Sequence, residues 1–310
     1  MIVTLTPNPS VDRTVEIDVL ERGEVLRATG TRVDPGGKGI NVSRALTGHG
    51  LLTQAVLPVG GAVGDQLVAL LLAAGIEVLP VAIAGDVRAN ISVVEPDGTV
   101  TKINEPGPSL TEAELHALVE ATAKAAVDAS WVVAAGSLPP GVDLDLFAVL
   151  GRALHVPYVV DSSGIPLARA LEVGPDLVKP NREELAEVSG LPVRTVGEAV
   201  SAAQSLRDRG AKAVLASLGA DGAVLVEEAG TWYGEATVAV PVSSVGAGDA
   251  TLAGFLSAGG HGVEALREAL TWGAAAVQLP GSRMPRPEDL DRAAVRIATV
   301  PPLDRPLTGA

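Results

Sequence analysis

Apolar residues recur along this chain in short runs, separated by longer stretches in which they fall at every third or fourth position, the alternation expected of buried strands and amphipathic helices. The first run, Ile2 to Leu5, reads as a strand that ends at Thr6-Pro7-Asn8-Pro9-Ser10-Val11-Asp12. Two short alternating segments follow, around Thr14 to Val19 and Val25 to Val33. From Gln54 the pattern becomes strand, helix, strand; then Ile76 to Val81, Asn90 to Glu95 and Thr99 to Ile103 succeed one another with almost no helical sequence between them. The turn Pro96-Asp97-Gly98 makes the last two a hairpin. With the two early segments these strands predict a small second sheet, marginal alone, which must cover something or pair with a partner. The chain thus reads as a single α/β domain over residues 1–310, with lid strands within about 12–34 and 76–104.

After Pro108 the alternation is regular. Helices are expected at Thr111 to Val127, Leu144 to Leu154 and Thr195 to Arg209, and strands at Trp131 to Ala135, Tyr158 to Asp161, Leu177 to Lys179, Ala213 to Ser217 and Ala223 to Val226. This is the signature of βαβ units and a mainly parallel sheet covered by helices on both faces. A further alternating run, Thr237 to Val242, is broken only by Pro241 and predicts a strand leading into Ser243-Ser244-Val245-Gly246-Ala247-Gly248-Asp249-Ala250. Two Ala-rich helices continue to Val277, and Pro301 to Ala310 reads as a frayed end.

Composition narrows the class. Hydrophobic residues make up 47% of the chain but aromatics only 2%, so the core must be built from Val, Leu, Ile and Ala, as in parallel sheets under Ala-rich helices. The absence of cysteine excludes disulfides, thiolate metal sites and Cys nucleophiles. Four histidines with no pair at ligand spacing argue against zinc, and a net charge of -14 argues against nucleic acid as a general partner. The N-terminus has no signal-peptide pattern, and the most membrane-like run, Leu67 to Ala84, contains Gly75, Glu77 and Pro80. The expectation is a cytoplasmic protein with no membrane partner.

The candidate chemistry lies where strands are expected to end, the ligand edge of open α/β sheets. Gly246 and Gly248 before a helix can aim consecutive amides of Gly246, Ala247 and Gly248 at one anion. Asp249 beside that anion would repel it unless it takes a proton from an attacking hydroxyl, so the pair points to phosphoryl transfer. A simple glycine turn with an acidic first helical turn also fits. Asp12 could accept hydrogen bonds from sugar hydroxyls, or serve only as a turn residue. Pro35-Gly36-Gly37-Lys38-Gly39-Ile40-Asn41 lets backbone approach a ligand and offers the Asn41 amide, but it is no Walker A loop, since Gly39 stands where Ser or Thr should follow the lysine. Arg27, Arg88 and Lys102 could meet a phosphate or be surface charges. Ser137, in Gly136-Ser137-Leu138-Pro139-Pro140-Gly141, lacks a nucleophile-elbow frame. Asn181 and Glu184, three apart on one helix face, could hold the water shell of Mg²⁺ or cap a helix. No dinucleotide fingerprint is present.

Taken together these residues resemble the PfkB, or ribokinase-like, carbohydrate kinases. Asn8 to Asp12, Gly36 to Asn41, Gly136 to Gly141, Lys179 to Glu184, Ser217-Leu218-Gly219-Ala220-Asp221-Gly222 and Val245 to Asp249 occur in that family's order and spacing over roughly the whole chain. Lys102 to Pro108 and Val160 to Gly164 look like the phosphohexokinase branch, which includes 1-phosphofructokinase, tagatose-6-phosphate kinase and the minor 6-phosphofructokinase. The resemblance implies a ribokinase-like three-layer sandwich with a small β-sheet lid, and dependence on ATP and Mg²⁺. It implies Asp249 as the base, with Gly246, Ala247 and Gly248 stabilising the transferred group. Asp12, Gly36, Gly37, Lys38, Asn41 and Ser137 would bind the sugar, and Arg88 and Lys102 its phosphate. Lys179, Asn181, Ser217, Gly219, Asp221, Gly222, Gly248 and Gly273 would line the nucleotide site, with Asn181 and Glu184 in the outer shell of the metal. The family's usual Asp-Thr before the glycine turn is Ser243-Ser244 here, and Arg27 stands near a lid position where some members carry lysine. The substrate most resembled is fructose 1-phosphate, with tagatose 6-phosphate or fructose 6-phosphate as alternatives. A non-catalytic sugar-phosphate sensor would use the same fold. A homodimer formed lid to lid is expected.

Overall fold

The computed structural model describes residues 1–308. Buried runs of Val, Leu and Ala in β1 (Ile2–Leu5), β4 (Thr53–Val59), β8 (Trp131–Ala135), β9 (Tyr158–Asp161), β10 (Leu177–Val178) and β11 (Val214–Ser217) pair in parallel, and the more exposed β5 (Glu77–Ala82) adds to the edge beside β4. Beyond them β12 (Ala223–Glu227), β13 (Gly230–Ala236) and β14 (Val295–Ala298) turn antiparallel, completing a 10-stranded sheet in the order β14-β13-β12-β11-β10-β9-β8-β1-β4-β5.

Both faces are covered, because successive side chains of a strand point to opposite sides. One face packs α3 (Glu112–Ala125), α4 (Leu146–Ala153), α5 (Gly164–Leu171), α6 (Arg182–Ser189) and α7 (Val196–Asp208) against Val3, Leu5, Val132, Ala134 and Val160. The other packs α1 (Lys38–Gly48), α8 (Ala247–Ser257) and α9 (Gly262–Ala276) against Ile2, Val133, Ala135 and Val159. On that same side α2 (Gly61–Ala73) places Leu67 and Leu71 against Ala55, Leu57 and Val11. This is the three-layer sandwich with a mainly parallel sheet that the sequence predicts.

The second sheet has four strands in the order β3-β2-β6-β7: β3 (Gly30–Gly36), β2 (Ser10–Glu16), β6 (Arg88–Val94) and β7 (Val100–Asn104). It grows directly out of β1 and stands over the carboxyl edge of the large sheet. Three expectations need correction. Ile76 to Val81, expected in the small sheet, contributes β5, which pairs with β4 on the edge of the large sheet, its Ile76 and Val81 buried. Thr237 to Val242 is not a strand: Val240 and Val242 are exposed, and the preceding strand is the unanticipated β13. The glycine turn therefore follows a loop. The end is tied down as far as Thr308, with Leu307 buried and Pro306 bridged to Thr195; Gly309 and Ala310 lie outside the described residues.

Candidate active site

A cleft of about 450 Å³ opens between the small sheet and the carboxyl ends of β1, β8 and β9. Side chains at i and i+2 on a strand share a face, so Ser10 with Asp12, Arg88 with Asn90, and Lys102 with Asn104 all line the cleft. Register sets them side by side: Asp12 opposes Asn90, which opposes Asn104. Asn90 Nδ2 donates to Asp12 Oδ1 at 2.9 Å and to Ser10 Oγ at 3.0 Å, and Ser10 Oγ donates to the same carboxylate oxygen at 2.7 Å. Asp12 is thereby held in one orientation as a hydroxyl acceptor. From below, Gly37 caps α1 and brings Lys38 and Asn41 to the cleft, while Ser137 enters from the loop after β8 and accepts a long hydrogen bond from Asn8.

Behind Asn41 of the cleft lies the N-terminus of α8. Gly246 caps it with φ 78°, the left-handed region that favours glycine, and leaves the first amides of the helix without partners inside the helix. Asp249 follows in the first turn and is buried, only 7% exposed. Asn41 Nδ2 donates to Asp249 Oδ2 at 2.9 Å, while Asn41 Oδ1 accepts from Arg44 at 3.0 Å, which fixes the amide's orientation. Burial, followed by the negative charge of Asp161, pushes the Asp249 carboxyl up to about 7, against the opposing pull of Asn41, Lys179 and Lys38. A carboxyl poised there can hold or release a proton near neutral pH.

Asp161, which the sequence offers only as part of a subfamily pattern, is the electrostatic centre of this end. It is fully buried, with Lys38 Nζ at 2.8 Å from one oxygen and Lys179 Nζ at 3.1 Å from the other. Burial opposes its ionisation, yet the two ammonium groups hold its carboxyl below the usual range. Lys179 is itself buried and sits against Gly248, where an added Cβ would fall 3.2 Å from Nζ, so the missing side chain leaves the cation at the mouth of the amide cradle. Lys38 also lies 3.5 Å from Glu184, and although burial opposes its charge, Asp161 and Glu184 raise its affinity for the proton above that of an ordinary lysine. Lys38, expected on the sugar, thus also belongs to the charge cluster around Asp161.

Asn181 and Glu184 form a reciprocal capping box at the start of α6, each accepting the other's backbone N–H, at 2.8 and 2.9 Å. That engages the Asn181 carbonyl and one Glu184 oxygen, whereas Glu184 Oε1 faces Lys38 and the cleft. Among the described residues no group of three or more carboxylates and histidines is placed to hold a metal. With the Asn181 carbonyl engaged in the cap, Glu184 Oε1 is the donor of the pair turned to the cleft, of the kind a Mg²⁺ that keeps most of its waters could meet.

The remaining sites divide. Lys179, Asn181 and Ser217 are adjacent, since Asn181 bridges to Ser217 and Ser217 N donates to Pro180 O. Gly219 and Gly222 frame the turn after β11. Asp221 corrects the expectation: it is buried, and its carboxylate accepts two hydrogen bonds from Thr308 instead of facing the cleft. Gly273, expected at the nucleotide, is buried in α9 where a Cβ would collide with Thr251 of α8, so helix packing accounts for it. Arg88 reaches the cleft, but its terminal nitrogens donate to the carbonyls of Glu105 and Asn8, leaving Nε buried without a partner. Arg27 is exposed in the loop between β2 and β3 and does not line the cleft.

Comparison with known proteins agrees with this geometry. The family described as pfkB family carbohydrate kinase matches residues 6–289. The chain is 40% identical over 294 residues to 1-phosphofructokinase of Haloferax volcanii, covering 94% of this chain and 95% of the relative. It is 37% identical over 299 residues to ATP-dependent 6-phosphofructokinase isozyme 2 of Mycobacterium tuberculosis, covering 94% and 88%. The crystal structure of phosphofructokinase-2 from Escherichia coli superposes with a TM-score of 0.88 at 34% identity, covering 93% of this chain and 96% of that one. With its fold, its motifs and nearly its whole length accounted for, the chain belongs to the pfkB family of carbohydrate kinases.

Proposed function

We propose that this protein transfers the γ-phosphoryl group of ATP to the 6-hydroxyl of fructose 1-phosphate, giving fructose 1,6-bisphosphate and ADP, in the cytoplasm where ATP is available. The observation that carries the reading is the buried Asp249 at the amide end of α8, poised near 7 and held by Asn41, which itself lines a cleft of hydroxyl acceptors and cations. The sugar hydroxyl attacks the γ-phosphorus as Asp249 accepts its proton; the new O–P bond forms while the bond to the β-phosphate oxygen breaks, and ADP leaves with the electron pair. Amides of Ala247 and Gly248, with Lys179 beside them, stabilise the charge on the transferred group. Asp12 reads the sugar's hydroxyls, Lys102 and Arg88 meet its phosphate, and Lys179, Ser217 and Gly219 bound the nucleotide. Mg²⁺, held through water at Glu184, would neutralise the β- and γ-phosphates. The small sheet acts as a lid that excludes water, a competing acceptor.

Lid-to-lid dimerisation is part of the same proposal. Val100 and Ile103 are exposed at 48% and 57%, and β3 and β7 leave unpaired strand edges. Light scattering after size exclusion should give twice the chain mass.

The relative that is a 6-phosphofructokinase makes fructose 6-phosphate the second reading. The test is kcat/KM for fructose 1-phosphate, fructose 6-phosphate and tagatose 6-phosphate with ATP. Fructose 1-phosphate should lead by at least about tenfold, roughly 1.4 kcal/mol of discrimination. Either other sugar leading by that margin overturns the substrate and leaves the kinase standing.

A further inference from the structure

The segment from Pro302 to Thr308 crosses the back of the turn that the proposed function gives to the nucleotide, and its contacts are too specific for a loose end. Asp221 Oδ2 accepts from both the amide and the hydroxyl of Thr308, at 2.7 and 2.8 Å. The carbonyl of Asp221 accepts from Tyr233 at 2.7 Å, and Arg305 lies over the Tyr233 ring at 5.4 Å while pairing with Glu235. The carbonyl of Thr308 in turn accepts from Arg182 at 2.9 Å, the first residue of α6 next to Asn181. Further along, the carbonyls of Arg305 and Leu303 accept from Val196 and Gly197 at the start of α7, and Leu307 N donates to Arg194 O.

These bonds converge on one place from two sides. The turn Ser217 to Gly222 and the segment from Lys179 to Asn181 meet through the bridge from Asn181 to Ser217, and the strap ties down the far side of both. Within the turn itself Asp221 is 5% exposed while Gly219 and Ala220 stand open to solvent. A turn whose tip is free and whose carboxylate is anchored behind it has its backbone placed by the anchor.

We propose that Asp221 is a positioning residue for the nucleotide site: held by Thr308 of the strap, it fixes the Ser217 to Gly222 turn and, through Arg182, the start of α6, so that ATP meets a preformed surface. Preorganisation of this kind appears in affinity, because the ordering cost is met before the ligand binds. The inference rests on the reading that this turn binds the nucleotide, and the experiment separates the two.

Hydrogen exchange of the wild-type protein with and without ADP tests the site, and steady-state kinetics of Thr308→Val, Thr308→Ser and Asp221→Asn test the strap. ADP should slow exchange in the peptide spanning 214–223; if it does not, the nucleotide lies elsewhere and both readings fall. With protection observed, Thr308→Val and Asp221→Asn should raise the KM for ATP about five- to tenfold, part of the effect of losing a hydrogen bond to a charged group. The KM for fructose 1-phosphate should stay within about twofold, and Thr308→Ser, which keeps both donors, should restore the ATP KM. Protection by ADP together with an unchanged ATP KM in Thr308→Val and Asp221→Asn, or equal rises in both KM values, overturns the strap's role while the nucleotide site stands.

Discussion

Around the N-terminus of α8 Asp249, Asp161 and Lys179 are buried and already tied to protein partners, whereas on the lid Lys102 and Asn104 stand exposed. The first arrangement is expensive to assemble, since buried charges are tolerated only when paired, and it leaves little freedom when substrate arrives. The second is loose: solvated side chains on a four-stranded sheet can adjust to the position of a phosphate. The proposed function thus places phosphoryl transfer at the rigid end and the choice of sugar at the lid.

Breaking the rigid end should be costly in stability. Asp161→Ala leaves the buried Lys179 and its neighbour Lys38 without their shared counter-charge, and should lower the unfolding free energy by about 3–5 kcal/mol, against less than about 0.5 kcal/mol for Lys102→Ala on the lid. Denaturant unfolding of both variants checks the contrast; equal losses would erase it. Next in size, Asp249→Asn should keep its fold and ATP affinity but lower kcat by at least about a hundredfold, near 2.7 kcal/mol of barrier. On the lid Arg88→Ala should cost about 1.5–3 kcal/mol in kcat/KM for the sugar phosphate and almost nothing for plain fructose. A loss equal for both sugars removes Arg88 from the phosphate site. The smallest effect is expected of Glu184→Gln, which should raise the Mg²⁺ concentration needed for half-maximal rate more than it raises the sugar KM. An unchanged metal titration takes Glu184 out of that shell.

The same division governs what is legible in the sequence. Residues that must be Gly, Asp or Asn in a fixed order announce themselves, as Gly246 to Asp249, Asn41 and Asp12 do. Asp161 does not, because a carboxylate at the end of an apolar strand carries no local sign that two lysines, distant in sequence at 38 and 179, converge on it. The cleft-facing amides Asn90 and Asn104 are equally quiet taken singly, although period-two alternation with Arg88 and Lys102 is the signal that places them. Ile76 to Val81 shows where periodicity stops helping, since a short apolar strand has the same pattern whichever sheet it joins. The alternation of Thr237 to Val242 misleads because Val240 and Val242 point to solvent, and the strap around Thr308 is invisible because turn-like, proline-rich sequence reads as loose until its partners Asp221 and Arg182 are known.

The central claim, that Asp249 is a general base whose proton affinity is set by its buried charged neighbours, is tested most directly by the pH dependence of kcat/KM. The carboxyl must be ionised to accept a proton, so activity should rise with pH along an acid limb centred near 7. The groups facing it are Asn41 and Lys38 from α1, Asp161 from β9 and Lys179 from the end of β10. Asp161→Asn removes a negative charge that opposes ionisation of Asp249 and leaves both lysines in place. The account therefore predicts that the limb moves to lower pH in Asp161→Asn and is absent from the residual activity of Asp249→Asn. A limb that stays in place in Asp161→Asn, or that persists unchanged in Asp249→Asn, would contradict it.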